Sequence, residues 1–303
     1  MDLPASFITR IRGTFGQEGQ KWMDQLPDLL DHFQETWSLT FSGPPLPPSY
    51  HILIPCQTPQ GQDAILKLGV PNPELCTEIE ALRQYNGKGA VQLLSADKKR
   101  GGLLLEAIKP GTALIRIADN QHAAQAAADL CEKIWQTPPR DHIFPTVEDW
   151  GEGFQRLRKA FQGSTGPFPV KLVNKAEKTF DDVLSSRGEP VLLHGDLHHR
   201  NILQAQREPW LVIDPKGVVG EPAYEIGAFL RNPIPRIFQT TDFQALTTQR
   251  LEIFSETLSL DPLRMLKWGF SQTVLSAWWS YEEQNPNWKR WISLAGLFSE
   301  MVP

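Results

Sequence analysis

Residues 191–203 read VLLHGDLHHRNIL, and residues 211–217 read LVIDPKG. Each stretch begins with a short apolar run, which is typical of a buried strand. A polar segment follows each run, so Asp196 and Asp214 are both predicted to lie at strand ends. Asn201 follows Asp196 by five residues and precedes Asp214 by 13. The pattern therefore predicts two carboxylates and one amide at adjacent strand ends.

These three side chains offer hard oxygen atoms, which are the ligands that Mg²⁺ prefers in proteins. Mg²⁺ usually takes one or two carboxylates and completes its shell with phosphate oxygens and water. The set therefore suits a magnesium–phosphate site, with Asp196 left as a base near the metal. We expect His194, which ends the first apolar run, to orient the loop through a buried hydrogen bond.

The spacing Asp-x4-Asn, followed by a later metal-binding Asp, is the pattern of the kinase catalytic loop. The local sequences HGDLHHRN and DPKG resemble those of the aminoglycoside phosphotransferase family rather than those of protein kinases. Within that family the resemblance is strongest to the group of streptomycin 6-kinases and hydroxyurea phosphotransferases. That finer resemblance also uses residues 89–94 (GAVQLL), 103–106 (LLLE) and 210–221 (WLVIDPKGVVGE).

The resemblance implies a two-lobed, protein-kinase-like α+β fold. Residues 1–107 would form a β-rich nucleotide-binding lobe, and residues 108–303 a larger α-rich catalytic and substrate lobe. The implied reaction moves the γ-phosphoryl group of ATP to a hydroxyl of a small molecule, an aminoglycoside such as streptomycin. Asp196 would be the catalytic base, while Asn201, also part of the catalytic set, would hold Mg²⁺ together with Asp214.

Four nucleotide-binding residues are implied, three in the first lobe and one, Ile108, at the start of the second. Lys67 would hold the α- and β-phosphates, with Glu78 as its ion-pair partner. The backbone from Glu106 to Ile108 would read the adenine edge. Glu80 is the alternative partner of Lys67, although it lies two positions along the helix and therefore on a different face.

Two further features bear on the resemblance: one agrees with the family pattern and one departs from it. Glu225, in the sequence PAYE, is implied to be the acid that anchors the catalytic loop from a later helix. The loop over the phosphates departs from the family pattern, which is usually rich in glycine or serine. Here Ser42 and Gly43 are followed by PPLPP at residues 44–48, which still allows a stiff loop to cover a nucleotide.

Apolar spacing and turn residues also predict the elements of the chain. Helices are predicted over about 21–37, from Pro73, over 120–136, 147–161 and 170–185, and from Tyr224 onward. Strands are predicted at 37–41, 50–55, 64–68, 91–95, 102–108, 191–193, 202–203 and 210–213.

Charge and composition exclude several classes of protein. The 303 residues include 30 Lys or Arg and 35 Asp or Glu, which gives a net charge of −5. Without a basic surplus, nucleic-acid binding is not expected. No apolar run reaches about 18 residues, so no membrane span is expected. We expect a cytoplasmic protein without an obligate protein partner, because no signal-peptide pattern is present and the cysteines, Cys56, Cys76 and Cys131, read as free thiols.

A late helical stretch carries Trp278–Trp279 and Glu282–Glu283. These residues are either core aromatics with solvated acids, or one wall of a pocket for a cationic small-molecule substrate. Further acids of the same kind are Asp141, Glu148, Asp149 and Glu152.

Other functions remain open. A housekeeping kinase for a sugar or an amino alcohol fits the same motifs, because acceptor pockets vary within a fold. A catalytically idle nucleotide-binding scaffold is disfavoured by the complete set of Lys67, Asp196, Asn201 and Asp214. A metallohydrolase could use His194 and His198, but the remaining histidines form no second ligand cluster.

Overall fold

The computed structural model describes residues 3–303, which divide into two compact units. The first unit ends at Lys109, and the second begins at Pro110. Among the described residues, no helix is both long enough and apolar enough to cross a membrane. All three cysteines are free thiols, and two of them, Cys56 and Cys131, are buried.

The first unit combines three helices with one antiparallel sheet. The strand order in this sheet is β1-β2-β3-β5-β4. Its elements are α1 (Ala5–Asp24), α2 (Leu26–Thr36), β1 (Thr40–Phe41), β2 (Ile52–Gln57), β3 (Asp63–Leu68), α3 (Pro73–Tyr85), β4 (Leu93–Asp97) and β5 (Gly102–Glu106).

The sheet places β3 between β2 and β5, with Lys67 opposite Leu53 on one side and Leu103 on the other. Apolar side chains of α1 and α2 join the strands in one core. Close packing fixes Gly102 in this core, because a Cβ there would lie 2.2 Å from the ring of Phe33. The strand that carries Lys67 is therefore held on both edges.

The N-terminal helices differ from the prediction of one helix over 21–37. A helix already begins at Ala5, and its backbone kinks at Gly16, where φ is 55°. The polar, glycine-containing sequence around that kink hides the apolar spacing of Phe7 and Ile11, both of which are buried. The predicted strand 37–41 is also too long, because Trp37 ends α2.

The second unit is mainly helical, with two small antiparallel sheets, one of order β6-β8-β9 and one that pairs β7 with β10. Two single turns of 3-10 helix cover Leu114–Arg116 and Arg236–Gln239. The other elements are β6 (Pro110–Ala113), α4 (Asn120–Ile134), α5 (Val147–Ala160), α6 (Val170–Ser185), β7 (Val191–Leu193), β8 (Ile202–Ala205), β9 (Trp210–Val212), β10 (Val218–Gly220), α7 (Pro222–Leu230), α8 (Phe243–Leu258), α9 (Pro262–Glu282) and α10 (Trp288–Met301).

Two strands of this unit, β6 and β10, were not predicted. The sequence PGTA of β6 has turn character, and β10 is only three residues long. Helix α9 is buried from Met265 to Trp278, apart from the half-buried Lys267, and contacts α6, α7 and α10. The elements that carry the loops of Asp196 and Asp214 therefore pack on a helical core.

Candidate active site

The loop after β7 begins with a backbone turn that only glycine fits. Gly195 has φ of +83°, and a Cβ there would lie 2.9 Å from Trp150 and 3.0 Å from Val218. Strand β7 is held by β10, with Leu193 opposite Val218. Asp196 is therefore carried out of a fixed strand through a fixed turn.

Glu225 anchors this turn from α7. Its Oε2 accepts a hydrogen bond from the His194 backbone N–H at 2.6 Å, and its Oε1 accepts one from Gly195 at 2.9 Å. The side chain is 1% exposed. Burial raises the pKa of Glu225 to about 7, although the two backbone donors favour the charged form. This is the anchoring contact that the sequence resemblance implied.

His194 ties the loop to the segment that carries Asp214. Its buried ring lies with Nε2 2.8 Å from the Ile213 carbonyl oxygen, and its Nδ1 accepts from the Asp196 backbone N–H at 3.2 Å. Both contacts require the Nε2–H tautomer. Burial lowers the pKa of His194 to about 4, so the ring is neutral at pH 7. The expected orienting role is confirmed, and both ring nitrogens are occupied.

Asn201 and Asp214 are joined to the same loop by backbone contacts. The Asn201 amide nitrogen donates to the Asp196 carbonyl oxygen at 3.0 Å, while the Ile213 N–H donates to the Asn201 carbonyl oxygen at 2.9 Å. Asp214 adopts a left-handed backbone with φ of 57°, a conformation that Asp tolerates better than most residues. The Asn201 side-chain nitrogen is thus used within the loop, and its side-chain oxygen is the acceptor that it could offer to a metal ion.

This donor set fits Mg²⁺ that depends on phosphate for part of its shell. It consists of one amide oxygen and one carboxylate, which is too few ligands for a protein-only site. Consistently, residues 3–303 contain no group of three His, Cys, Asp or Glu side chains placed to hold a metal ion.

Asp196 lies in a positive environment. Its side chain keeps 30% of its surface exposed, and its Oδ2 lies 3.7 Å from Nε2 of His198. Burial alone would raise its pKa, but the charges of His198, Lys216 and Arg231 outweigh burial and hold the pKa of Asp196 below its usual value. The carboxylate is therefore ionised at neutral pH and can accept a proton from a hydroxyl.

Arg231 is a candidate residue that the sequence analysis missed. It follows α7, is 8% exposed, and its Nε is buried without a hydrogen-bond partner. Its guanidinium carbon lies 5.9 Å from the centre of the Trp291 ring. A basic residue at the end of a helix is usually explained by the helix dipole alone. The sequence therefore contains no indication that the charge of Arg231 acts on Asp196.

In the first unit, Lys67 and Glu78 form a buried ion pair with Nζ and Oε1 2.5 Å apart. Lys67 is 1% exposed and Glu78 is 5% exposed. Helix α3 presents Glu78 because Asn72 caps its start and accepts a hydrogen bond from the Leu75 N–H. The alternative residue, Glu80, instead lies 3.3 Å from Arg83 and 3.4 Å from Lys98.

Glu106 is the last residue of β5, and Ile108 lies two residues beyond it. The Glu106 N–H donates to the Gln92 carbonyl oxygen at 3.0 Å, and its side-chain Oε1 accepts from the Gln92 N–H at 2.9 Å. The Ala107 N–H donates a hydrogen bond to the Asp63 carbonyl oxygen at 3.2 Å. The Ile108 N–H has no hydrogen-bond partner anywhere in the described chain.

The two tryptophans at the end of α9 could be core residues or one wall of a substrate pocket, and their surroundings differ. Trp278 is 4% exposed and lies against Phe161, Phe168 and Tyr281, so it is a core residue. Trp279 is half-buried and meets Trp150 edge to face.

Three of the candidate acids are occupied by neighbouring groups. Glu282 lies 3.2 Å from Arg156, and Glu148 lies 3.7 Å from Arg187. Asp149 forms the capping box of α5 with Thr146. These contacts leave fewer free acids for a cationic substrate than the sequence suggested.

The metallohydrolase interpretation does not fit these contacts. His194 uses both ring nitrogens within the loop, and the His199 ring is stacked on Phe229 with ring centres 4.1 Å apart. His198 Nδ1 accepts from the Arg200 N–H at 3.3 Å. The three histidines of the loop therefore do not converge on one point.

Comparison with known proteins assigns the chain to a family. The family model described as aminoglycoside/hydroxyurea antibiotic resistance kinase matches residues 36–284. Streptomycin 6-kinase of Streptomyces glaucescens is 28% identical over 283 residues, covering 93% of this chain and 92% of that protein. Hydroxyurea phosphotransferase of Kitasatospora aureofaciens is 28% identical over 297 residues, covering 93% of this chain and 81% of that protein.

Solved structures identify the fold. The crystal structure of a choline kinase from Streptococcus pneumoniae aligns with a TM-score of 0.62 and 11% identity, covering 92% of this chain and 99% of that one. The predicted protein-kinase-like α+β fold is therefore confirmed. With the family match over most of its length, the chain belongs to the aminoglycoside/hydroxyurea antibiotic resistance kinase family and is an ATP-dependent phosphotransferase.

Proposed function

We propose that this chain transfers the γ-phosphoryl group of ATP to a hydroxyl of an aminoglycoside of the streptomycin class. The observation that carries the proposal is the loop from His194 to Asn201, in which an ionised Asp196 is fixed by Glu225 and His194. The acceptor class is supported by the similarity to streptomycin 6-kinase over 93% of the chain.

Asp196 is the proposed catalytic base. Phosphoryl transfer passes through a loose transition state, so the protein mainly positions the reactants and neutralises charge. A carboxylate with a lowered pKa is a weak base, but it suffices to align the acceptor hydroxyl and to take its proton late. His194 is neutral and buried, so its role is to hold the loop rather than to transfer protons.

Asn201 and Asp214 are the residues that would hold Mg²⁺. When bound with the nucleotide, the ion would neutralise charge on the phosphate oxygens. The Asn201 amide nitrogen is committed to the Asp196 backbone, which leaves its oxygen for coordination. The two side chains therefore supply a minimal set that is completed by the nucleotide itself.

The nucleotide-binding residues are Lys67, Glu78, Glu106 and Ile108. Lys67 would hold the α- and β-phosphates, and Glu78 would keep its ammonium group charged and oriented. Ile108 offers an unused backbone N–H to the adenine edge, whereas the N–H groups of Glu106 and Ala107 are occupied within the unit.

Hydroxyurea is a second candidate acceptor. The relative named hydroxyurea phosphotransferase has the same identity, 28%, over a similar share of the chain. The positive groups around Asp196 also suit a small neutral acceptor, because a polycation would meet the charges of Lys216 and Arg231 there.

The test is a nucleotide-consumption assay with purified protein, ATP and Mg²⁺. Streptomycin, hydroxyurea, a neutral sugar alcohol and an amino alcohol are supplied in parallel, with Asp196→Asn as the matched inactive control. We expect streptomycin to stimulate ATP consumption most, with the phosphorylated product visible by mass spectrometry. Selective phosphorylation of the sugar or amino alcohol would replace this proposal with a housekeeping kinase.

A further inference from the structure

A cavity of about 150 Å³ in the second unit is lined by basic and neutral polar side chains and contains no acid. Its polar lining comes from Asn120, His199, Arg236, Thr240 and Arg250, and the remaining lining residues are aliphatic or proline. The volume corresponds to about five waters at about 30 Å³ each. It therefore has room for one small ion, in a chain whose net charge is −5.

Arg250 forms the buried part of this cavity. It is 2% exposed, and its Nη1 donates to the carbonyl oxygens of Phe229, Leu230 and Asn232 at 3.2, 3.3 and 2.7 Å. Its Nε donates to Asn120 Oδ1 at 2.8 Å. Within residues 3–303, Nη2 makes no hydrogen bond and no carboxylate pairs with the guanidinium. A buried positive charge is thus oriented by neutral oxygen atoms and by the ring of Phe229, whose centre lies 5.1 Å from the guanidinium carbon, but no negative charge faces it among the described residues.

His199 contributes a second buried polar atom without a partner. It is 4% exposed, its ring stacks on Phe229, and its buried Nδ1 has no hydrogen-bond partner in the described chain. An unsatisfied buried polar group costs about 1–3 kcal/mol. Such a cost is tolerated most readily where a ligand can remove it.

Arg236 stands at the solvent-facing side of the cavity. It is exposed, and its Nη1 donates to the Ile115 carbonyl oxygen at 3.1 Å, which leaves the rest of the guanidinium unused. The acids nearest along the chain, Asp119 and Asp242, are occupied as N-caps of α4 and α8. Neither of them lines the cavity.

These donors require a ligand that accepts hydrogen bonds and carries negative charge. A cation would be repelled by both arginines, and an apolar ligand would leave His199 and Arg250 unsatisfied. Arginine forks suit the oxygens of phosphate and carboxylate groups. We propose that this cavity binds a small oxyanion of the size of inorganic phosphate, held by Arg250 and Arg236 and, in its Nδ1–H tautomer, by His199. The site does not depend on the function proposed for the chain.

The experiment titrates the whole chain with inorganic phosphate at constant ionic strength, with chloride as the reference anion. Calorimetry and thermal melting are recorded with and without excess ADP. We expect saturable binding that persists when ADP is present. Non-saturable stabilisation, which any excluded salt can produce, would overturn the proposal, and so would binding that ADP abolishes.

Variants locate the bound anion. Arg236→Gln should weaken phosphate binding by about tenfold or more, the usual effect of losing one hydrogen bond to a charged group. His199→Phe keeps the ring stack on Phe229, removes Nδ1, and should also weaken binding. Arg290→Gln removes the same charge from an exposed arginine that lines a different cavity, and should leave binding unchanged. Equal affinity in Arg236→Gln and the unaltered chain would overturn the assignment.

Discussion

Glu225 holds the backbone of His194 directly, with the carboxylate Oε2 2.6 Å from the His194 nitrogen, 31 residues away in the chain. Its second oxygen takes the next N–H, that of Gly195, at 2.9 Å. One side chain therefore satisfies two consecutive donors at the point where β7 becomes the catalytic loop. Because Glu225 is 1% exposed, water does not replace it readily.

Glu225→Gln should destabilise the protein by about 1–3 kcal/mol, the usual cost of an unsatisfied buried donor. An amide has only one acceptor oxygen, and its NH₂ group would face one of the two N–H groups. Urea unfolding at pH 7 measures the change. Glu252→Gln, on the exposed side of α8, is the control and should stay within about 0.5 kcal/mol. Equal stability of the two variants would contradict the anchoring role.

The Lys67–Glu78 pair gives a prediction about the first unit. Glu78→Gln removes the carboxylate of the buried Lys67–Glu78 ion pair, and breaking such a pair costs about 3–5 kcal/mol. Affinity for ADP should fall as well, since the lysine is no longer held in place. Glu80→Gln, on the same helix but paired at the surface with Arg83 and Lys98, should cost less than about 1 kcal/mol. Fluorescence-detected unfolding and nucleotide titration together measure both effects, and similar losses in the two variants would refute the assignment.

The catalytic loop could be predicted from the sequence because its residues lie close together along the chain. Asp196, Asn201 and Asp214 follow short apolar strands, and a strand end fixes where the next side chain lies. The family resemblance extended that reading to Glu225, which lies on a later helix. A contact such as that between Lys67 and Glu78 depends on how a helix rotates against a strand, so the sequence could favour Glu78 over Glu80 but only the structure shows the contact.

Other features could not be predicted, for physical reasons. Helix α1 has a polar, glycine-containing middle, and its buried face becomes apparent only when Phe7 and Ile11 meet the sheet. Arg231 and Arg250 resemble ordinary surface arginines in the sequence, because burial of a charge is set by tertiary packing. The sequence favours Trp278 as a core residue but also allows a pocket wall, and its ring neighbours on other elements decide for the core.

Asp196→Asn and Asp214→Ala should fail in different ways. The first keeps the size of the side chain but removes the proposed base, so turnover should fall by about 10²–10⁴-fold with little change in ATP affinity. The second removes a proposed metal ligand, so the apparent affinity for Mg²⁺ and ATP should fall. Steady-state kinetics with the best acceptor, together with ATP-dependent shifts in melting temperature, separate the two. Near-normal turnover of Asp196→Asn would exclude it as the base.

His194 should make the protein less stable as the pH falls. Its pKa is about 4 in the folded chain but near 6.5 when unfolded. The unfolded state therefore binds a proton first, and stability present above pH 6.5 is lost progressively down to about pH 4. His194→Gln lacks this titration. The loss of unfolding free energy that the substitution causes should therefore be about 2 kcal/mol smaller at pH 5 than at pH 7. Urea unfolding at both pH values measures this difference, and a pH-independent difference would contradict the neutral, buried state of the ring.

Arg231 should influence catalysis through the charge of Asp196. The positive charge of Arg231 helps to hold the pKa of Asp196 below its usual value, so Arg231→Met should raise that pKa. A base with a higher pKa becomes protonated at higher pH, and the acidic limb of the kcat/KM profile should therefore move toward neutral pH. Folding should be little affected, because methionine removes a buried charge that lacks a partner for its Nε. Arg200→Gln serves as the control, because the side chain of Arg200 is exposed and screened by solvent, and its Nη2 donates to the Ile234 carbonyl oxygen. Its profile should match that of the unaltered enzyme, and an unchanged acidic limb in Arg231→Met would show that Asp196 does not respond to Arg231.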